Sequence, residues 1–191
     1  MFFVVDVETS GLNPWNGQLL TVGICPVTEE AEVLYEETLY IELMHSKLDP
    51  REAKKKGYSV SDTYEFWLGQ EDSVIDAAFN GTDKITKGLA CTQIQLYMEA
   101  LAPEYSQRFL AANPVKFDAM WLEYLFASCE RDNPYHYRGL CLRSMRFGLD
   151  DDPTFGSVKG DHESKIPHHA LHDAIAEAND LSKMITKKRL S

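Results

Sequence analysis

The beginning of the chain carries short apolar runs separated by turn residues, a pattern typical of β-strands. Residues 2–5 form a continuous apolar run that ends in acids, which predicts a buried strand. Residues 18–27 and 32–41 carry leucine, valine, isoleucine and tyrosine with partial alternation, which predicts two further strands. Because these three segments follow one another closely, we expect them to pair as an antiparallel meander.

Helical patterns dominate the rest of the chain. Asp49 and Pro50 have the sequence of a helix start, with a capping acid before a proline, and Gly57 predicts the end of that helix. Apolar spacing predicts further helices over residues 61–68, 71–79, 92–101, 116–129, 140–146 and 168–187. Short apolar runs at residues 109–112 and 135–138 predict two more strands.

Three strands followed by helices that alternate with short strands indicate an α/β protein, in which helices cover a mixed sheet. The polar segment 150–167 contains several glycines and prolines, and it predicts a loop before the last helix. The chain of 191 residues has the length of one domain, so we expect a single domain over residues 1–191. A hydrophobic content of 44% and a charged content of 26% are typical of a folded protein and exclude a disordered one.

We expect the protein to be cytoplasmic and not embedded in a membrane. No run of about 18 apolar residues occurs, and the chain begins without the basic segment of a secretory signal. The four cysteines form no CxxC pair and no recognisable zinc pattern, which favours reduced thiols. The formal net charge of −11, from 30 acidic and 19 basic side chains, argues by itself against nucleic acid as a partner.

Acids at the ends of predicted elements are the candidate functional groups. Asp6 and Glu8 end the first strand two residues apart, so both carboxylates point to one face of the chain, although for this pair alone a solvated strand end is the more common explanation. Asp118 lies near the start of a predicted helix, where an acid commonly caps the helix or interacts with its dipole. His168 and Asp173 flank the start of the last predicted helix, a spacing that also arises readily by chance.

The combination of these residues is more informative than any one of them. Four carboxylates from three separate segments cannot converge without a cation, because their mutual repulsion would be strongly destabilising or would force protonation. Oxygen ligands of this kind suit Mg²⁺ or Mn²⁺, and two such ions about 3.5–4 Å apart promote in-line phosphoryl displacement. A histidine titrates near neutral pH, so His168 suits the general base that takes a proton from an attacking water.

The same residues also resemble a known family in their order along the chain. Residues 5–12 (Val-Asp-Val-Glu-Thr-Ser-Gly-Leu), residues 113–118 and the spacing from His168 to Asp173 resemble the first, second and third exonuclease motifs of the DEDDh 3′–5′ exonuclease superfamily. Residues 63–70 (Thr-Tyr-Glu-Phe-Trp-Leu-Gly-Gln) resemble the Thr-x-x-Trp-Trp-x-x-Gln segment of one branch. That branch contains T-even phage exonuclease A and a mycobacterial adenylate-specific exoribonuclease, and it often has a tryptophan where this chain has Phe66.

The resemblance implies a ribonuclease-H-like fold and a metal-dependent nuclease. The fold would be a mixed five-stranded sheet, an antiparallel three-strand meander followed by αβα units, with helices on both faces. Two divalent cations, Mg²⁺ or Mn²⁺, would be held by Asp6, Glu8, Asp118 and Asp173. His168 would be the general base.

The resemblance also implies how a substrate binds. Single-stranded nucleic acid would be hydrolysed from its 3′ end to nucleoside 5′-monophosphates, with RNA slightly favoured over DNA through the branch. Thr9 would meet the 3′-terminal nucleotide through its backbone, and Leu12 would form an apolar wedge against the base. Asn113 and Phe117 would line the same pocket, and Trp67 would contact the substrate. Related exonucleases are often homodimers, so a homodimer is one assembly that the resemblance suggests.

Some alternatives stay open at this point. A binding module that kept the fold without cleaving, or a two-metal hydrolase of another phosphoester, would share the motifs. Trp15 follows the first motif, and base stacking and local packing explain it equally well. The net charge does not exclude nucleic acid if the site binds two divalent cations, but it predicts few phosphate contacts and a shallow salt dependence.

Overall fold

A mixed sheet forms the centre of the computed structural model, which describes residues 1–58, 61–150 and 164–190. Its strands are β1 (Phe2–Thr9), β2 (Leu19–Val27), β3 (Leu39–Glu42), β4 (Phe109–Ala112) and β5 (His136–Cys141). The strand order across this five-stranded sheet is β3-β2-β1-β4-β5. Strands β1, β2 and β3 pair antiparallel, whereas β4 and β5 add in parallel. The expected meander and the expected mixed sheet are therefore confirmed.

The meander differs from the sequence prediction at both ends. Strand β1 continues to Thr9, so Asp6 and Glu8 lie within the strand and pair with β2 across from Gly23 and Thr21. The third strand predicted over residues 32–41 is wrong in its first half, because residues 35–37 form a 3₁₀ turn. Only a single bridge, between Val27 and Val33, joins that first half to β2.

Seven helices surround the sheet in the described part of the chain, and each of them overlaps a predicted helix. They are α1 (Pro50–Lys55), α2 (Asp62–Leu68), α3 (Asp72–Phe79), α4 (Lys87–Leu101), α5 (Val115–Ala127), α6 (Leu142–Asp150) and α7 (Ala170–Leu190). Helix α4 begins earlier than predicted, because the Thr86 side chain accepts a hydrogen bond from the Leu89 N–H and caps the helix there. Most of the predicted loop 150–167 lies outside the described residues. No helix within the described ranges is both long enough and apolar enough to cross a bilayer.

Helices cover both faces of the sheet, as the alternation of side chains along β1 requires. Phe3 and Val5 point to one face and pack in a buried cluster with residues of α4 and α5, among them Trp121. Val4 points to the opposite face and packs with Leu181 and other apolar residues of α7. A third buried cluster joins α2 and α3 to β2. The expectation of an α/β fold with helices on both faces is therefore confirmed.

Close packing between α7 and β2 places the last helix beside Asp6. Gly23 of β2 pairs with Asp6 across the sheet. A Cβ atom on Gly23 would lie 2.3 Å from the backbone carbonyl of Ala170, at the start of α7. The helix can therefore approach the sheet this closely only because position 23 has no side chain.

Candidate active site

Carboxylates from three distant segments meet at one end of the sheet. Asp6 and Glu8 lie on the same face of β1, and Val7 between them packs into the core. Asp118, in the first turn of α5, accepts a hydrogen bond from the Val7 backbone N–H at 3.1 Å. Asp173 comes from the first turn of α7. The structure therefore brings together the four acids that the sequence proposed as metal ligands.

His168 lies beside these acids, just before α7. One ligand atom from each of Glu8, His168 and Asp173 falls within 4.8 Å of the others, a grouping that could hold a metal ion. His168 has a backbone φ of +61°, in the left-handed region that residues other than glycine seldom adopt. The ring of Phe66 packs edge-on against the imidazole at 4.9 Å between centroids. A phenylalanine at this position of α2 therefore helps to fix the histidine.

An open cavity of about 390 Å³ lies in front of the acids. Its walls include the active-site groups together with residues of the β1–β2 turn, α2 and α5; the residues are Asp6, Val7, Glu8, Thr9, Gly11, Leu12, Asp62, Thr63, Phe66, Trp67, Phe117, His168 and Asp173. Leu12 is 67% exposed, so its apolar side chain is available to a ligand. Of the predicted site residues, all but Asn113 and Asp118 line this cavity. Asp118 is 4% exposed, and its charge raises the pKa of both Asp6 and Glu8.

Trp67 and Thr9 are joined in a way that the sequence did not predict. The Trp67 side chain is 1% exposed, and its indole N–H donates to the Thr9 carbonyl oxygen at 3.0 Å. The Thr9 hydroxyl donates in turn to the Gly11 carbonyl oxygen at 2.8 Å. The Trp67 indole N–H and the Thr9 hydroxyl therefore both form hydrogen bonds within the protein. This geometry favours a role for Trp67 in fixing the turn after β1.

Asn113 lies between β4 and α5, away from the cavity lining. Its side-chain oxygen is buried and has no hydrogen-bond partner among the described residues. An unpaired buried carbonyl is unfavourable. The structure thus gives Asn113 no direct contact with the cavity.

Burial and mutual repulsion strongly perturb the acids. Removal from water is the largest cause that raises the pKa of Asp6 and of Glu8 well above its usual value, and the neighbouring carboxylates raise it further. Burial also raises the pKa of Asp118 to about 8, even though backbone N–H groups, including that of Val7, hydrogen-bond to its charged form. The charged forms of these acids therefore need a compensating positive charge.

A fifth carboxylate, Glu177, belongs to the same electrostatic cluster. It lies one helical turn after Asp173 on α7, and its Oε2 atom is buried without a hydrogen-bond partner among the described residues. Burial, Asp118 and Asp173 raise the pKa of Glu177, and Arg146 lowers it. Sequence reasoning missed this residue, although a spacing of four from Asp173 on a predicted helix could have indicated it.

The donor set fits divalent cations. It consists of hard carboxylate oxygens, which suit Mg²⁺ or Mn²⁺, and the His168 imidazole lies beside them. Arg146, whose charge lowers the pKa of Glu177, also forms a buried ion pair with Asp180 at 2.8 Å. Bound cations would supply the positive charge that buried Asp6, Glu8 and Glu177 lack.

Comparison with known proteins agrees with this geometry. Residues 1–185 match the family described as the 3′–5′ exoribonuclease Rv2179c-like domain. The chain belongs to this family. A curated relative of this domain is the 3′–5′ DNA exonuclease Cap18 of Escherichia coli, which is 23% identical over 194 residues, 98% of this chain and 92% of the relative.

Solved nucleases share the fold of this Rv2179c-like domain. The nuclease domain of 3′hExo, a DEDDh family member bound to rAMP, superposes with a TM-score of 0.64 at 13% identity, over 97% of this chain and 91% of that one. A complex of E. coli ExoI with single-stranded DNA superposes with a TM-score of 0.62 at 16% identity, over 98% of this chain. The chain spans 40% of the length of ExoI and 63% of that of the cell-death related nuclease CRN-4, which it also resembles. The family match identifies a 3′–5′ exonuclease domain, and its fold is shared with the solved DEDDh nuclease 3′hExo.

The raised pKa values predict how stability depends on pH when no metal is bound. An acid whose pKa is raised in the folded state binds its proton more tightly when the protein is folded. Its contribution to stability is therefore lost as the pH rises from the pKa of the unfolded state, about 4, through the pKa of the folded state. For Asp118 that loss extends to about pH 8. His45 and His169 have lowered pKa values and give the opposite slope below about pH 6.5. We therefore expect the free energy of unfolding in EDTA to fall between pH 6.5 and 8.

Urea denaturation at several pH values in EDTA measures this slope. Asp118→Asn should flatten it, because asparagine does not titrate, and added Mn²⁺ should restore stability at pH 8. Burial acts to raise the pKa of Asp49, but hydrogen bonds from Arg51 and Asn80 outweigh it and lower the pKa to about 2. Asp49 therefore gives its stabilising contribution fully above about pH 4 and does not affect this range. A wild-type slope equal to that of Asp118→Asn would contradict the prediction.

Proposed function

We propose that the domain hydrolyses single-stranded nucleic acid from its 3′ end and releases nucleoside 5′-monophosphates, with RNA favoured over DNA. The observation that carries this proposal is one open cavity lined by Asp6, Glu8, His168 and Asp173 together with an exposed apolar wedge, Leu12. The family description as an exoribonuclease supports RNA. The curated relative is described as a DNA exonuclease, so the sugar preference needs its own test.

In this proposal, Asp6, Glu8, Asp118 and Asp173 would hold two divalent cations, Mg²⁺ or Mn²⁺, which would supply positive charge for the attacking and leaving oxygens. The hydrogen bond from the Val7 N–H orients the Asp118 carboxylate. Since Val7 lies between Asp6 and Glu8, this bond also fixes Asp118 relative to β1. The chain thereby prepares the arrangement of the acids before any ligand binds.

His168 is proposed as the general base. It takes a proton from the attacking water and holds it on its imidazole while the phosphodiester bond breaks. Contact with the Phe66 ring and the left-handed backbone at position 168 orient the imidazole beside Glu8 and Asp173. Backbone strain of this kind is commonly found at functional sites.

The terminal nucleotide is proposed to bind against the turn that follows β1. Leu12 and Phe117 provide apolar surface for the base, and the Thr9 backbone lies near the 3′-hydroxyl. Trp67 fixes Thr9 through its indole N–H and acts as a positioning residue. Asn113, which does not line the cavity, would reach the nucleotide only through rearrangement of its buried side chain.

Residues 1–191 are proposed to form one exonuclease domain, since the family match extends over residues 1–185. All four cysteines are free, which supports the cytoplasm as the location. The homodimer stays a prediction, to be measured by sedimentation.

Digestion of end-labelled oligonucleotides tests the function directly. Matched poly(A), mixed-sequence RNA and DNA oligomers are incubated with Mg²⁺ or Mn²⁺, and we expect stepwise shortening from the 3′ end that stops in excess EDTA. Release of 5′-monophosphates, seen by chromatography, identifies the bond that breaks. Binding without shortening would instead identify a non-cleaving module, and cleavage of small phosphoesters alone would identify a different hydrolase.

A further inference from the structure

A second cavity of about 460 Å³ adjoins the active-site turn on its other side. We call it the lysine groove. It is formed by the end of the β1–β2 turn, the start of β2, the segment after β3, the start of α4 and the middle of α5; its residues are Pro14, Trp15, Asn16, Gly17, Gln18, Leu19, Ser46, Lys47, Lys87, Trp121, Tyr124 and Leu125. None of the motif residues of the nuclease lies in it.

Two thin walls separate the lysine groove from the active-site cavity. On α5, Phe117 lines the active-site cavity and Trp121 lines the groove, and their ring centroids are 6.4 Å apart. In the turn, Gly11 belongs to the cavity and Gly17 to the groove, and a Cβ on Gly17 would lie 2.8 Å from the Gly11 Cα. Stacked bases rise about 3.4 Å per nucleotide, so a strand leaving the active site reaches the groove within a few nucleotides.

The side chains of the groove have the chemistry that a single strand requires. Trp15 is 85% exposed, and an exposed indole offers a stacking surface to a base of any sequence. Lys87 lies over the ring of Tyr124, with Nζ 5.6 Å from the centroid, an arrangement that holds the ammonium group at the groove. The Lys47 Nζ lies 3.5 Å from the Asn16 carbonyl oxygen.

The charge of the groove is notable in a chain with a net charge of −11. Neither Lys47 nor Lys87 has a carboxylate within ion-pair distance among the residues that the structure describes. Lys87 is also the first residue of α4, where the helix terminus adds partial positive charge. The groove therefore favours an anionic, aromatic ligand.

We propose that the lysine groove binds the part of the single strand that lies 5′ of the nucleotide being removed. A base stacks on Trp15, and backbone phosphates contact Lys47 and Lys87. This inference rests on the proposed function, because it assigns the rest of the same substrate. It assigns a role to Trp15, for which the sequence left base stacking and packing open.

Substrates of different length distinguish the contribution of the lysine groove to binding from that of the active-site cavity. The p-nitrophenyl ester of thymidine 5′-monophosphate fills the terminal-nucleotide site alone, whereas a twelve-nucleotide strand extends into the groove. For Trp15→Ala we expect KM to rise about tenfold with the long strand and to stay unchanged with the ester. The matched control is Tyr137→Ala, which removes an aromatic ring that is 79% exposed on β5, outside both cavities.

The salt dependence of KM tests whether Lys47 and Lys87 contact backbone phosphates. The double substitution Lys47→Gln and Lys87→Gln should reduce the slope of log KM against log salt by about 1.4, about 0.7 for each phosphate contact that is lost on a single strand. The control pair, Lys54→Gln and Lys55→Gln, changes two exposed lysines of α1 and should leave the slope unchanged.

Fluorescence anisotropy with a labelled twelve-nucleotide strand provides a readout without cleavage. Measured in EDTA, weaker binding by Trp15→Ala and by the double lysine variant supports the groove. Wild-type affinity in both variants, together with unchanged KM and salt slope, would overturn it and would point to another ligand for this surface, such as a protein. Failure of the wild-type domain to shorten any oligonucleotide would instead contradict the proposed function, whatever the variants bind.

Discussion

Replacement of Asp118 by asparagine is expected to lower exonuclease turnover by about 10³-fold or more while the protein stays folded, because the cations that Asp118 is proposed to help bind would contribute several kcal/mol to catalysis. Asparagine keeps the Oδ1 atom that accepts the hydrogen bond from the Val7 N–H, so the local structure has no reason to change. It lacks the negative charge that binds a cation. The rate of shortening of an end-labelled strand and the affinity for Mn²⁺, measured by calorimetry, should fall together.

The matched control for this variant is Glu123→Gln, which removes an exposed carboxylate from the same helix. We expect its turnover and its Mn²⁺ affinity to equal those of the wild type. Full activity of Asp118→Asn in the presence of metal would exclude the proposed mechanism. Lost activity with unchanged Mn²⁺ affinity would show that Asp118 acts by another route.

The second large effect is expected for His168→Asn. Loss of a general base commonly costs about 10²–10⁴ in rate, and we expect a decrease of that size in single-turnover cleavage. Asparagine adopts positive φ more readily than most residues, so the left-handed backbone at position 168 is preserved. Since the four carboxylates remain, Mn²⁺ affinity should change much less than it does in Asp118→Asn.

A pH–rate profile distinguishes a base from a structural residue here. The rising limb of the wild-type profile should disappear in His168→Asn and persist in His172→Asn, which alters a histidine of α7 outside the cavity lining. An unaltered profile in His168→Asn would rule out His168 as the base.

Much of the fold could be predicted from local patterns. The apolar runs of β1 and β2 and the capping residues Asp49 and Pro50 have local causes, so the sequence predicted them. The four acids could be assigned to one site because carboxylates converge favourably only around a shared cation. The order of the motifs along the chain then indicated the superfamily.

What could not be predicted depends on contacts between distant segments. The hydrogen bond from Trp67 to the Thr9 carbonyl joins residues 58 positions apart, and no local pattern encodes it. The spacing of four residues indicates that Glu177 shares a helix face with Asp173, but only the packing of α7 against β1 shows that this face meets the other acids. The third strand was overpredicted because Val33 and Leu34 are apolar, whereas the backbone turns at residues 35–37.

The packing of α7 on Gly23 means that the spacing among the reacting groups is set partly by a residue without a functional group. Gly23 lies opposite Asp6 in β2, a strand that supplies none of the proposed ligands. Any larger residue there would push Ala170, and with it His168 and Asp173, away from Asp6. A mutational scan scored by activity should therefore show position 23 to be as sensitive as the acids. At position 23 activity should depend on the size of the residue and not on its charge.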